Sequence, residues 1–123
     1  MPATIAGVRQ YIDRHYGKPL TVPHLARLAR LSTFHFIRAF RAETGVTPHQ
    51  YLRARRIDRA CELLVTTPMP VTEICDAVGF QSLGSFSALF RRMTGEAPAA
   101  YRAKRRRKVV IPRCFIRMYR AGE

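Results

Sequence analysis

Residues 32–51, STFHFIRAFRAETGVTPHQY, decide the fold because their pattern occurs twice in the chain. Ser, two Phe, Arg, Thr-Gly, Pro and Tyr recur at the same spacing in residues 82–101, SLGSFSALFRRMTGEAPAAY, about fifty positions later. Upstream the match continues at an offset of about forty-nine, which leaves Gln81 as an extra residue in the second copy. A long period seen only twice predicts two similar helical units rather than a solenoid.

Each copy carries the start and stop signals of a helix that follows a tight turn. Ser32 is suited to cap a helix that runs to Thr44, and Gly45 follows where a left-handed C′ residue is favoured. The same signals recur at Ser82 and Gly95. Each unit therefore reads as helix, turn, helix.

The longest helix is predicted between the two copies. Thr47 can cap it, Pro48 fits its first position, and Gln50 can complete a capping box. We expect an all-α fold of about seven helices, with two helix-turn-helix subdomains joined by this long linker helix. The expected divisions are residues 1–47 for the first unit, 48–65 for the linker helix, 66–105 for the second unit and 106–123 for a basic and apolar C-terminal tail.

The charge balance predicts a polyanionic partner. The chain has 22 Lys and Arg against 8 Asp and Glu, a formal net charge of +14 in 123 residues. Duplex DNA, RNA and an anionic membrane surface all fit such a balance. There is no run of 18 or more apolar residues and no secretory pattern at the N-terminus, so we expect a cytoplasmic protein without a transmembrane helix.

The sequence offers little support for an enzyme, a metal site or a cofactor. The four histidines lack metal-ligand spacing, and phosphate-binding loops and nucleophile motifs are missing. Cys61 and Cys75 lie on predicted apolar helix faces and are interpreted as small buried side chains. Cys114 leaves two options open: an ordinary tail residue, or a redox or nucleophilic thiol whose pKa the nearby basic run lowers.

The helix after the first turn has two contrasting faces. Phe36 and Phe40 form its inward stripe, whereas Phe34, Ile37 and Arg38 lie on the opposite face. An arginine can bond guanine bidentately, and apolar groups can pack on thymine methyls, so this face suits a major groove. The alternative is that Phe34 and Ile37 pack against the other unit or the tail.

The corresponding helix of the second copy is much plainer. Its outer face is Gly84, Ser87, Ala88 and Arg91, which offers few side chains that could reach a base edge. It could instead allow close backbone approach while polar groups contact phosphates. Gly84 also weakens the helix by up to ~1 kcal/mol relative to Ala.

The second copy, with Gly79-Phe80-x-Ser82, Phe86, Phe90-Arg91, Gly95, Pro98 and Tyr101-Arg102, closely resembles the AraC/XylS family of bacterial transcription regulators. The resemblance covers about residues 3 to 105. It implies a seven-helix domain whose two recognition helices enter successive major grooves of double-stranded DNA, about one helical turn apart.

The resemblance, together with the face analysis, assigns candidate contacts. The expected base contacts are Thr33, Phe34, Ile37, Arg38, Leu83, Gly84 and Ala88. The expected phosphate contacts are Ser32, Arg41, His49, Arg53, Ser82, Ser85, Ser87, Arg91 and Arg102. Family members often carry a long polar or basic side chain where this chain has Ala88, so we expect the first unit to read bases and the second to anchor and to sense DNA shape.

The resemblance to the small stand-alone members of the family also implies a monomer on DNA that activates transcription by contacting RNA polymerase, in the cytoplasm and associated with the nucleoid. A second class remains open, a non-specific architectural protein that binds nucleic acid through charge. The run at 102–108, RAKRRRK, is either a solvated tail or a source of additional phosphate contacts.

Overall fold

The computed structural model describes residues 4–106, and this stretch contains seven α-helices and no strand. The helices are α1 (Ile5–His15), α2 (Val22–Leu28), α3 (Thr33–Thr44), α4 (Pro48–Thr66), α5 (Val71–Ala77), α6 (Leu83–Thr94) and α7 (Pro98–Arg105). The expected all-α class and the number of helices are confirmed. The tail from residue 107, including Cys114, lies outside the described residues.

The helix boundaries follow local hydrogen bonding. Ser32 Oγ accepts from the backbone N–H of His35 at 3.2 Å, and Ser82 Oγ accepts from that of Ser85 at 3.1 Å. Gly45 and Gly95 end α3 and α6 with φ of 86° and 88°, the left-handed conformation that glycine adopts without strain. The two copies of the sequence pattern therefore produce the same helix ends.

Helix α4 begins with the predicted capping box. Thr47 Oγ1 accepts from Gln50 N at 3.2 Å, and Gln50 Oε1 accepts in return from Thr47 N at 3.0 Å. These reciprocal bonds satisfy backbone N–H groups that have no partner within the helix. The start of the longest helix is thus fixed by residues next to it in sequence.

The described chain buries its apolar side chains in two clusters. The first packs α1, α2 and α3 around side chains such as Val8, Ile12 and Phe36. The second packs α5, α6 and α7 against α4 around side chains such as Ile74, Phe86 and Phe90. Helices α3 and α6 therefore rest on two separate cores.

Helix α4 contributes to both clusters. Tyr51 and Leu52, in its first turns, belong to the first cluster, whereas Ile57, Cys61 and Leu64 belong to the second. Its length lets one rigid element carry both packing surfaces. Cys61 and Cys75 are free thiols and buried, as predicted, and burial raises the pKa of Cys75, with Asp76 adding to the effect.

Two further findings apply to residues 4–106. No helix in this stretch is long and apolar enough to cross a membrane. Within the same stretch, no group of three or more His, Cys, Asp or Glu side chains is arranged to hold a metal ion.

Candidate nucleic-acid interface

Helix α3 exposes the face that the helical spacing predicted. Phe34 is 64% exposed although it is one of the largest apolar side chains in the chain. The guanidinium of Arg38 lies 5.5 Å from the centroid of the Phe34 ring. Thr33 and Arg41 are exposed beside them, while Ile37 is half-buried. The described part of the chain therefore leaves Phe34 uncovered, and the option that the tail packs on Phe34 and Ile37 falls on residues outside the described stretch.

Hydrogen bonds between Ser32 and His35 hold the start of α3. Ser32 caps the helix, and its Oγ also lies 2.8 Å from Nδ1 of His35, a second hydrogen bond that holds both exposed side chains. Thr33 and Phe34 follow directly in the first turn, where backbone N–H groups give a partial positive charge. This end of α3 can accept an anion or the edge of a base.

Helix α6 presents small side chains in the corresponding places. Gly84 and Ala88 are exposed, Leu83 is 44% exposed, and Ser87 is half-buried. A Cβ added to Gly84 would meet only Ser82 Oγ, at 3.7 Å, so space within the protein does not require glycine there. Arg91 is exposed and is the long cationic side chain on this face.

A wide cleft of about 830 Å³ lies between the two units, and it gathers residues from both. Five of the candidate contacts line it: His49, Arg53, Ser82, Ser85 and Ala88. The first two come from the start of α4, and the other three come from the start and middle of α6. The cleft therefore brings together polar groups from α4 and α6 that lie 29 or more positions apart in sequence.

The cleft also contains residues that sequence reasoning missed. Arg56 and Arg92 line it, together with the acidic side chain of Asp76 and the aromatic ring of Phe80. Arg56 lies one turn after Arg53 on α4, a spacing that puts both on one helix face and was available as a signal. Arg92 had no such signal, because the repeat matches its neighbour Arg91, which was therefore assigned as the phosphate contact.

The cleft alters the protonation of His49. Its pKa is lowered by partial burial and, less strongly, by the positive charges of Arg53 and Arg56. The imidazole is therefore more readily neutral in the free protein than an ordinary histidine. Since like charges cause part of this shift, a bound anion would oppose it.

Arg102, an expected phosphate contact, forms hydrogen bonds within the protein. Its Nε donates to the carbonyl of Leu64 at 3.0 Å, and its Nη2 donates to the carbonyls of Thr67, at 3.2 Å, and Met69. Burial lowers its pKa, and Arg106 adds to this effect. Its guanidinium therefore ties α7 to the end of α4, and a phosphate contact by Arg102 stays a prediction.

The basic run that begins at Arg102 is partly engaged within the protein. Arg105 Nη1 lies 2.8 Å from Glu96 Oε1, and its guanidinium lies 3.9 Å from the Tyr101 ring centroid. Its hydrogen bond to Glu96 is the main reason that the pKa of Arg105 is raised. Arg106 donates to the carbonyl of Thr67 at 3.0 Å. Lys104 is exposed, with Nζ 3.9 Å from Glu96 Oε2, and Arg107 and Lys108 lie outside the described residues.

The chain matches a family model described as a helix-turn-helix domain over residues 25–104. It is 35% identical over 94 residues to the probable transcriptional regulator LumQ of Photobacterium leiognathi. The matched region covers 76% of this chain and 38% of LumQ. The chain thus spans less than half the length of LumQ. It is also 34% identical over 93 residues to the regulatory protein SoxS of Salmonella typhimurium, covering 76% of this chain and 87% of SoxS.

The fold agrees with solved structures of DNA-binding domains. The DNA-binding domain of AdpA, a global transcriptional factor solved in complex with a target DNA, superposes with a TM-score of 0.82 at 36% identity. The match covers 85% of this chain and 94% of that one. The chain belongs to the AraC/XylS family of helix-turn-helix transcription regulators, as shown by the two-unit helical architecture of this protein, its sequence repeat and these relatives.

Proposed function

We propose that this protein is a sequence-specific regulator that inserts α3 and α6 into successive major grooves of double-stranded DNA. The observation that carries the proposal is the exposed pair of Phe34 and Arg38 on a helix that follows a tight turn. Exposing a large aromatic ring to water costs hydrophobic free energy that burial against a partner would recover. The pair offers a duplex both apolar contact and a bidentate hydrogen-bond donor.

The first unit supplies the base readout in this proposal. Phe34 and Ile37 meet thymine methyl groups, and Arg38 donates to guanine O6 and N7, while Thr33 lies beside them at the helix start. The stacking of Arg38 on Phe34 restricts the motion of the guanidinium, so less side-chain entropy is lost when it meets a base. Arg41, one turn further along α3, and the capped helix start at Ser32 hold the DNA backbone.

The second unit mainly anchors. Leu83, Gly84 and Ala88 form a low surface that lets the helix backbone approach the groove closely, with little direct discrimination between bases. Specificity here comes from DNA shape and deformability. The phosphate contacts on this side are Ser82, Ser85, Ser87 and Arg91.

The cleft between the units suits one strand of the DNA backbone. His49 and Arg53 approach it from the first unit, and Ser82 and Ser85 from the second. A phosphate held there would contact both units at once. This supports successive contacts on one face of a duplex, with centres about 10 base pairs apart.

The remaining parts of the proposal concern domain division, oligomeric state, location and output. We propose a cytoplasmic, nucleoid-associated monomer with two units, about residues 1–47 and 66–105, around a linker helix, about residues 48–65, and a tail from residue 106. It activates transcription by contacting RNA polymerase. The match to the regulatory protein SoxS covers 87% of that relative, which supports the division into two units and a linker.

The primary test is selection of binding sites from a random duplex library at about 150 mM salt. We expect a motif with one sharply defined half and one weakly defined half, spaced roughly 10 base pairs apart. Enrichment without a motif would instead support a non-specific architectural protein, the second candidate, which the net charge of +14 and the plain surface of α6 favour.

Matched arginine variants on α3 separate readout from charge. Arg38→Ala should weaken discrimination at the sharp half by about 1–3 kcal/mol per base pair read. Arg41→Ala, which removes the same charge one turn away, should weaken all sequences alike and lower the log-log salt slope by about 0.9. Ala88→Arg should add base preference to the weak half. The asymmetric proposal fails if Arg38→Ala leaves discrimination intact.

A further inference from the structure

Arg56 lines the cleft and also connects the two units through contacts of its guanidinium. Its Nε donates to the carbonyl of Tyr16 at 2.7 Å and its Nη2 to the carbonyl of Lys18 at 2.9 Å, both in the connection between α1 and α2. The same guanidinium lies 5.9 Å from the ring centroid of Phe80, in the second unit. One half-buried side chain on α4 therefore bonds to the first unit and packs on the second.

The backbones of the two units also approach each other directly beside Arg56. A Cβ added to Gly17 would lie 3.0 Å from the carbonyl oxygen of Ala77. A Cβ added to Gly79 would lie 3.0 Å from the carbonyl oxygen of Tyr16 and 3.0 Å from Nε of Arg56. These three contacts would be tighter than nine in ten real Cβ contacts, so the two glycines permit the approach.

The equivalent turns of the two units differ in backbone conformation as well as in contacts. The residue forty-nine positions before Gly79 is Arg30, which carries a side chain at φ of 59°, within the left-handed region. Gly79 has φ of 98°, which side chains rarely adopt, so its conformation also favours glycine. The close contact with Tyr16 and Arg56 is the further feature of the second turn.

The hydrophobic packing converges on the same place. The Tyr16 ring packs against both apolar clusters. The guanidinium of Arg55, next to Arg56 on α4, lies 5.3 Å from the Tyr16 ring centroid and forms an ion pair with Asp13 at 3.3 Å. The two units thus meet twice, through the shared helix α4 and through a junction formed by residues 16–18, 77–80 and Arg56.

We propose that Arg56 is a positioning residue that fixes the offset between the two recognition helices, and so sets the half-site spacing that the protein accepts on DNA. The inference rests on the proposed function for its readout on DNA. If α4 were the only connection, bending or twisting of that helix would let α3 and α6 adopt a range of offsets. The junction adds a second, lateral connection, which removes this freedom before DNA is bound.

The test on DNA measures affinity across a spacing series. Duplexes carry the selected half-sites at the best spacing and with one or two base pairs inserted or deleted, and a further duplex carries the sharp half-site alone. Arg56→Ala should flatten the spacing profile and weaken the best site roughly tenfold, because a looser junction lowers the effective concentration of the second unit. Affinity for the single half-site should fall much less than affinity for the best site, by no more than the loss of one positive charge in the cleft explains.

Two variants separate positioning from charge. Arg56→Lys keeps the charge but loses the planar fork that bonds two carbonyls, so it should flatten the profile as Arg56→Ala does. Arg53→Ala, one turn away in the cleft, should keep the profile and lower the salt slope by about 0.9. The proposal is overturned if Arg56→Ala keeps a sharp profile and lowers the salt slope, while Arg56→Lys behaves as wild type.

A measurement without DNA distinguishes failure of this inference from failure of the proposed function. Spin labels at Ala42→Cys and Ala99→Cys, both exposed, report the distance between the units in a Cys114→Ser background. We expect a narrow distance distribution in the wild-type sequence and a clearly broader one with Arg56→Ala or Arg56→Lys. Distance distributions of equal width in wild type and in the Arg56 variants would overturn the junction. If the variants do broaden the distribution but site selection finds no DNA motif, only the proposed function is rejected.

Discussion

Replacing Arg102 by alanine separates its structural role from the phosphate contact that its sequence position suggested. In the variant, the carbonyls of Leu64 and Met69 lose their guanidinium donor, while that of Thr67 keeps Arg106. Hydrogen bonds from a charged donor contribute about 1.5–3 kcal/mol each, and water can replace part of this at a half-buried site. We therefore expect a loss of about 2 kcal/mol in the free energy of unfolding.

For a domain of this size, such a loss lowers Tm by about 8–16 °C, which circular dichroism or calorimetry measures directly. The matched control is Lys104→Ala, which removes a positive charge from the same helix at a side chain that is 73% exposed. That variant should shift Tm by no more than ~3 °C. DNA binding by folded Arg102→Ala should keep its salt slope.

The reasoning would be refuted by the opposite pair of results. If Arg102→Ala melts within ~3 °C of wild type and its salt slope falls by about 0.9, then Arg102 contacts phosphate, as the family resemblance implied. If Arg102→Ala loses stability but keeps its salt slope, the structural role alone explains why the chain has Arg102.

Three further predictions test the site and the fold. Gly84→Ala should stabilise the free protein by ~0.5–1 kcal/mol, because its Cβ has room, but should weaken DNA binding in a fluorescence anisotropy titration; equal or tighter binding would contradict the close approach of α6. His49 has a lowered pKa in the free protein, and contact with a phosphate would raise it, so DNA binding takes up a proton and should tighten as pH falls from 7.5 to 6. His49→Gln should remove that pH dependence, and an unchanged one would place its origin elsewhere. Thr47→Ala removes half of the capping box and should cost about 1 kcal/mol in urea unfolding, whereas Thr72→Ala, at an exposed site, serves as its control.

Much of the fold could be predicted because its signals are local. The side chains of Ser32, Ser82 and Thr47 accept hydrogen bonds from backbone N–H groups three positions away. The glycines that follow α3 and α6 end these helices by adopting a positive φ. The exposure of Phe34 followed from helical phase alone. Each of these features depends on residues within one turn of the chain, where sequence spacing and spatial distance correspond.

The roles of Arg102 and Arg56 could not be predicted in this way. Both bond to backbone carbonyls that lie 33 or more positions away, and every residue type carries such a carbonyl. The residue types in the sequence therefore do not reveal which carbonyls accept these hydrogen bonds. In a chain with 22 basic side chains, spacing alone does not tell an arginine that contacts DNA from one that holds the protein together.

The sharing of α4 between two cores has a consequence for dissecting this protein. A fragment cut after Thr47 would lose Tyr51 and Leu52, and Phe40 would lose the aromatic ring whose centroid lies 5.7 Å from its own. A fragment that began at Thr67 would leave Ile74, Phe86 and Phe90 without the helix they pack on. Each half would need its own copy of α4, so the smallest separable pieces overlap in sequence. Neither unit can therefore be isolated without α4. Chimaeras that exchange one half for a relative's must carry α4 with it.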